Sequence, residues 1–178
     1  MRRPPRLDSS ATGPRAVAAP PRWAKIAAHV AAVLPLPSGI WRIALALGLP
    51  AGYTDEGLTA LHLDGAGRPS LIMLTLLIEA AAILTLGLVS RWGERLPSWM
   101  PRWGGRKVSP HLVVLTASVG AAVLIVMWTP LVAWWTIPHP GLTDLGTALV
   151  GVLYLPLVAW APLLIAVTID YHRRHSRP

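Results

Sequence analysis

The chain has 178 residues, 53% of them hydrophobic and only 13% charged, with a formal net charge of +8 and a mean hydropathy of +0.51. A soluble domain carries about a quarter charged residues, so this composition excludes an ordinary water-soluble globule and requires apolar surface to face lipid. The absence of cysteine excludes disulfides, thiolate metal sites and cysteine nucleophiles together, and basic residues in three clumps rather than one stripe argue against a nucleic-acid groove.

Residues 1–22 are rich in Pro, Arg, Ser and Ala without an apolar face, which predicts a disordered basic tail. The apolar run that follows exceeds a signal-peptide core and ends without a small-x-small cleavage site, so a cleaved leader is the weaker reading. The first span is expected at about 23–49. It contains LPLPSGIW, in which Pro35 and Pro37 delete backbone donors and predict a kink or break up to Gly39. Arg42 follows that break by three residues and is the segment's one guanidinium.

Residues 71–90, LIMLTLLIEAAAILTLGLVS, match the hydrocarbon core of a bilayer, roughly 30 Å at about 1.5 Å per residue. Glu79 is the one ionisable group in that run. The third span is expected at about 111–135, with Pro130 near its end, and the fourth at about 145–169, with Pro156 and Pro162. Four spans result, and no internal repeat is evident among them.

Orientation follows from the basic residues. Arg2, Arg3, Arg6, Arg15, Arg22 and Lys25 precede the first span; Arg91, Arg95, Arg102, Arg106 and Lys107 lie between the second and third; Arg173, Arg174 and Arg177 follow the fourth. The other two connections hold only Arg68, together with Asp55, Glu56, Asp64 and Asp144. The positive-inside rule then places both termini in the cytoplasm of a multi-pass cell-membrane protein. Trp23, Trp92, Trp99, Trp103, Trp134 and Trp135 fall near span ends, as interfacial anchors do. The fold class is an all-α transmembrane four-helix bundle over residues 23–178, preceded by the basic tail.

The connection RWGERLPSWMPRWGGRKVSP alternates Arg, Lys and Trp with Pro and Gly. It reads as a segment on the anionic inner leaflet, with basic groups on headgroups and indoles at the boundary. Its role is either topogenic alone or an interaction surface for a cytoplasmic partner. The run R-W-G-E-R-x-P-x-W-x-P-x-x-G-G-R-K at 91–107 resembles a pattern in small four-span membrane proteins of actinobacteria, as does the Tyr171-His172-Arg173-Arg174 exit of the fourth span. The resemblance implies the same four-helix topology and carries no catalytic residues across.

A carboxylate near the bilayer centre costs on the order of 2.5–3.5 kcal/mol on insertion scales, so Glu79 needs a partner or a proton. Arg42 is the expected partner, since helical rise leaves a depth gap of roughly 6 Å between them. The pair either fixes the packing of the first hairpin or makes Glu79 a proton or cation acceptor whose affinity Arg42 sets, beside a cavity at the broken turn.

Other groups carry less. Asp55, Glu56, His62, Asp64, His139 and Asp144 share one side but show no ligand spacing, and solvated loops are the expectation. His29 is expected as a buried hydrogen-bonding residue and His111 as an interfacial one. No Ser-His-Asp signature or phosphate loop is present, and Gly104-Gly105 is a turn. Thr116, Ala117, Ser118, Gly120, Ala121 and Ala122, and then Thr147, Gly151 and Tyr154, form small-residue patches suited to close helix packing. No metal or cofactor is implied, and the expected partners are the lipid bilayer and a second copy or another membrane protein. Three functions remain: a non-enzymatic scaffold or regulator, a small oligomeric transporter or channel subunit using Glu79, or a membrane-embedded enzyme acting on a lipid or isoprenoid-like substrate.

Overall fold

The structure, a computed structural model, describes residues 18–90 and 108–176. The greater part of the basic tail and the 91–107 connection, with Arg91, Arg95, Arg102, Arg106 and Lys107, lie outside the described residues. Four helices long and apolar enough to cross a membrane occupy Arg22–Ala46, Gly67–Leu88, Pro110–Thr136 and Asp144–Ser176. The protein is an all-α, multi-pass membrane protein. Compared with the sequence expectation, the second span begins at Gly67 rather than residue 71, and the fourth runs on to Ser176.

Proline sets the internal joints. The first span divides into α1 (Arg22–Val33) and α2 (Leu36–Ala46) at Leu34 and Pro35, which puts Pro35 at the N-cap and Pro37 in the first turn of α2, where a missing amide N–H costs no intrahelical bond. Ser38 donates to the carbonyl of Pro35 at 2.9 Å, adding a second donor to the Gly39 amide that already bonds it. The short α3 (Asp55–Ala60) lies in the following loop, and α4 (Gly67–Thr85) tightens into a 3-10 turn at Leu86–Leu88. In the third span α5 (Pro110–Trp128) gives way to 3-10 geometry over Thr129–Thr136, where Pro130 sits. In the fourth, α6 (Asp144–Tyr154) and α7 (Trp160–Ser176) flank a 3-10 segment, Leu155–Ala159, that contains Pro156.

The first span packs between the second and fourth: α1 lies against α4 and α7, and α2 against α4 and α6. The third span packs on the fourth through α5 and α7, whereas α4 and α5 share no comparable interface. Ala24, Ala28 and Ala31 have no exposed surface and recur at helical spacing, which lets α1 approach its neighbours closely. In a bilayer such contact supplies the van der Waals packing that holds helices together when hydrophobic burial does not distinguish partner from lipid. Outward faces are apolar instead, with Ile40, Val126 and Leu145 each at least 71% exposed. In water these would be aggregation patches, and in a membrane they are lipid contacts.

The absence of a repeat, expected from the sequence, is overturned at the end of the bundle that carries the two hairpin loops. Gly52-Tyr53-Thr54-Asp55-Glu56-Gly57 and Gly141-Leu142-Thr143-Asp144-Leu145-Gly146 both read G-x-T-D-x-G, and they are clasped reciprocally. The Thr54 amide donates to the Gly141 carbonyl at 3.1 Å and the Thr143 amide to the Gly52 carbonyl at 2.9 Å, so that Tyr53 and Leu142 form an isolated antiparallel bridge. Each threonine also caps its own helix: Thr54 Oγ1 accepts from the Gly57 amide at 3.1 Å, and Thr143 Oγ1 from the Gly146 amide at 3.0 Å. These are Thr N-caps with an acid at the next position, Asp55 and Asp144, where the helix dipole favours negative charge. The glycines are sterically required. A Cβ on Gly57 would overlap the Gly141 carbonyl, and one on Gly146 would overlap the Gly52 carbonyl.

Candidate functional site

Arg42 is the polar centre of the bundle. It is 4% exposed and lies on α2, where α4 and α6 both face it. Its Nε donates to Thr75 Oγ1 at 3.1 Å, and its Nη1 donates to Ser38 Oγ at 3.4 Å and to Tyr154 Oη at 3.2 Å. The Tyr154 ring also lies beneath the guanidinium, 5.6 Å from centroid to Cζ, a cation–π arrangement that gains strength away from water. Thr75 sends its own proton to the Leu71 carbonyl at 2.8 Å, as Ser38 does to Pro35. Both hydroxyls therefore turn lone pairs toward Arg42, and one cation ties three spans together.

The expected Arg42–Glu79 ion pair is not formed. The structure brings both residues to the α2–α4 interface, but the ion pair within 4.0 Å that the described residues do form is Arg174 with Asp170. Glu79 directs its carboxylate at Gly39, where an added Cβ would lie 2.6 Å from Oε1. Oε1 of Glu79 and Nη2 of Arg42 are both buried without a hydrogen-bond partner among the described residues. Depth arithmetic alone placed the two together. Helix rotation instead directs the guanidinium toward Tyr154, 112 residues away in sequence, a partner no spacing argument could reach.

Around this centre, aromatic residues fill the space toward the hairpin loops. Trp41 donates to the Ala51 carbonyl at 2.9 Å and meets Tyr154 edge-on at 5.7 Å. Trp134 donates to the Thr147 carbonyl at 3.0 Å and packs on Gly151, where a Cβ would clash at 2.7 Å. Trp134 is thus a packing residue between the third and fourth spans as well as a span-end aromatic. Burial and the nearby Tyr154 hydroxyl push the Tyr53 phenol above its ordinary value of 10.0.

The remaining sequence candidates are dispersed. Among the described residues no three His, Cys, Asp or Glu side chains gather where they could hold a metal ion. His139 stacks on Trp134 with ring centroids 3.7 Å apart, and Asp55, Glu56 and Asp144 stand in first helical turns. His29 is exposed rather than buried, its Nδ1 on the Lys25 carbonyl at 2.7 Å. Of the small-residue patch on α5 only Ala121 is buried; Ala117 and Gly120 line an apolar crevice instead.

That crevice, about 510 Å³, opens where α4 and α5 fail to meet, and its walls include Leu84, Leu88, Leu112, Gly120, Trp160 and Leu164. Neither Arg42 nor Glu79 lines it. At its end near the chain termini, Arg174 donates through Nη2 to the Leu88 carbonyl at 2.9 Å and through Nε to Asp170 at 2.8 Å. A guanidinium on the fourth span thereby caps the last turn of the second.

Compared with family models, curated proteins and solved structures, the chain matches none.

Proposed function

We propose that the protein is a non-enzymatic scaffold or regulatory component of the cell membrane, with both termini in the cytoplasm, that works through contact with a membrane partner. One observation carries the reading: Arg42, the cation within the first span, is engaged by Ser38, Thr75 and Tyr154 in joining three spans, which is a structural task. The loops at the hairpin end are clasped together, Arg173 and Arg174 stand in the last turn of α7 at the other end of the fourth span, and the basic residues of the sequence at 91–107 follow the second span, where the positive-inside rule puts cytoplasmic surface. Membership among the small four-span actinobacterial proteins that the 91–107 run resembles is part of the same proposal.

Neutralising Arg102, Arg106 and Lys107 together tests the reading. Membrane insertion should persist while recovery of co-purifying membrane proteins falls; an unchanged set of co-purifying proteins overturns it. Because the chain lacks cysteine, single cysteines at Gly65 and Ser176 check the orientation. An impermeant thiol reagent should label the first in intact cells and the second only after permeabilisation.

Glu79 favours a second reading, an oligomeric transporter or channel subunit, because Oε1 is a buried acceptor without a partner among the described residues beside the broken first span. Proton-coupled flux in proteoliposomes should then fall in Glu79→Gln. Equal flux in the variant and the parent removes this reading.

A further inference from the structure

We infer that one buried water molecule joins Arg42 to Glu79, seated in the notch that Gly39 opens between α2 and α4. The inference stands under either functional reading, because it concerns how the two charges are held rather than what they serve. It begins from two buried atoms of opposite character in one interface. Among the described residues neither Nη2 of Arg42, a donor, nor Oε1 of Glu79, an acceptor, has a hydrogen-bond partner, and Arg42 is 4% exposed. A buried polar atom left unpaired costs the full desolvation of its group, and in native structures such atoms are met by protein or by ordered water.

Stereochemistry aims both atoms at one place. Nε and Nη2 share one edge of the planar guanidinium fork. Since Nε donates to Thr75 Oγ1, that edge faces α4, and Nη2 faces it too. Nη1, on the other side, is taken up by Ser38 and Tyr154. Glu79 stands four residues beyond Thr75 on α4, and its Oε1 points at Gly39, three residues before Arg42 on α2. The two spans run antiparallel, so both steps lead the same way along the interface. Rise along either helix leaves about 4.5–6 Å between the guanidinium edge and the carboxylate, and the two groups form no ion pair within 4.0 Å. That interval exceeds a direct hydrogen bond and fits one water, which spans up to about 6 Å when it bonds at both ends.

Room and partners complete the site. A Cβ on Gly39 would lie 2.6 Å from Oε1 and 3.5 Å from Thr75 Cγ2, so glycine keeps open a position at hydrogen-bonding distance from the carboxylate. The water accepts from Nη2 and donates to Oε1. A hydroxyl oxygen has two lone pairs; Thr75 Oγ1 uses one for Arg42 Nε, and the other is free for the water's second proton. Three partners are the usual complement of a buried water. A cation in the notch would face the guanidinium and an anion would face Glu79, and like charges repel. A neutral dipole that accepts on one side and donates on the other suits both.

Nuclear magnetic resonance on the full chain in detergent micelles, with nitrogen-15 in the arginines, tests the site. The side-chain N–H signals of Arg42 are those that disappear in Arg42→Lys. The Nη2 protons should show a rotating-frame Overhauser cross-peak at the water frequency, with the sign that separates dipolar contact from chemical exchange. The Nε proton is the control, because the Thr75 hydroxyl beside it relays its own contact to water. Gly39→Ala fills the notch and Glu79→Leu removes the acceptor; each should abolish the Nη2 cross-peak while that of Nε persists. Glu79→Gln retains an oxygen acceptor and should keep both. Circular dichroism and melting temperature identify folded variants, and either disruptive variant suffices. No Nη2 cross-peak in the parent, its persistence in a folded disruptive variant, or a crystal structure with Nη2 and Oε1 in direct contact would each overturn the proposal.

Discussion

Gly52 and Gly146 meet backbone to backbone: a Cβ on Gly146 would overlap the Gly52 carbonyl, and the two loops have no room to separate without breaking the Thr54–Gly141 and Thr143–Gly52 hydrogen bonds. Gly57 stands in the matching position against Gly141. Gly146→Ala and Gly57→Ala are therefore expected to destabilise the folded protein by about 1–3 kcal/mol each, the usual range for overpacking, through comparable effects. Gly120→Ala is the contrast. Its added methyl makes an ordinary contact with Leu164, and removing glycine from a helix interior gains up to about 1 kcal/mol. Thermal unfolding in one detergent, followed by circular dichroism, ranks the three.

The hydrogen bonds of Arg42 make a second prediction. Tyr154→Phe keeps the ring under the guanidinium but removes the acceptor for Nη1, leaving a buried donor with only the longer Ser38 contact. A loss of about 1–3 kcal/mol is expected. Thr75→Val removes the Nε acceptor and should cost a similar amount. Because both partners serve one cation, the two losses should not add, and a double-mutant cycle measures their coupling. Strict additivity would show that Arg42 is not the shared hub.

At the opposite end Arg174 holds the Leu88 carbonyl and Asp170 together. Arg174→Ala should loosen the last turn of the second span, raising amide hydrogen exchange at Val89, whose N–H bonds the Leu86 carbonyl at 3.2 Å, while α1 remains protected. Exchange unchanged at Val89 counts against the latch.

Tyr53 supplies a pH dependence. Its phenol is raised above 10.0 in the folded chain by burial first and by the Tyr154 oxygen second. Below the unfolded value its neutral form contributes fully to stability. As pH rises past about 10, the unfolded chain loses the proton more readily, so stability declines until the folded phenol also ionises. In a phenolate absorbance titration Tyr53→Phe should lose a late-ionising component that the parent shows, and the stability lost at alkaline pH should be smaller in the variant.

The spans were legible because each is an apolar run of bilayer length, and the joints because Pro35, Pro130 and Pro156 remove backbone donors. Arg42 and Glu79 were legible as residues of one interface. Their relation was not, since rise along two helices fixes depth but not the rotation that turns Arg42 toward Tyr154. The packing order, with the second and third spans apart, leaves no mark in hydropathy. The repeat left a mark that was short: six positions, with Tyr53 matched to Leu142 and Glu56 to Leu145, between hairpins whose loops differ in length.

The reciprocal clasp also orders the assembly of the protein during synthesis. When the first helical hairpin has entered the membrane, the Thr54 amide and the Gly52 carbonyl still await partners that lie some ninety residues downstream. The nascent hairpin is therefore an incomplete half whose loop stays open until the second has been threaded through. A chain halted after the second span would present that vacant half to any neighbour bearing the same six-residue motif.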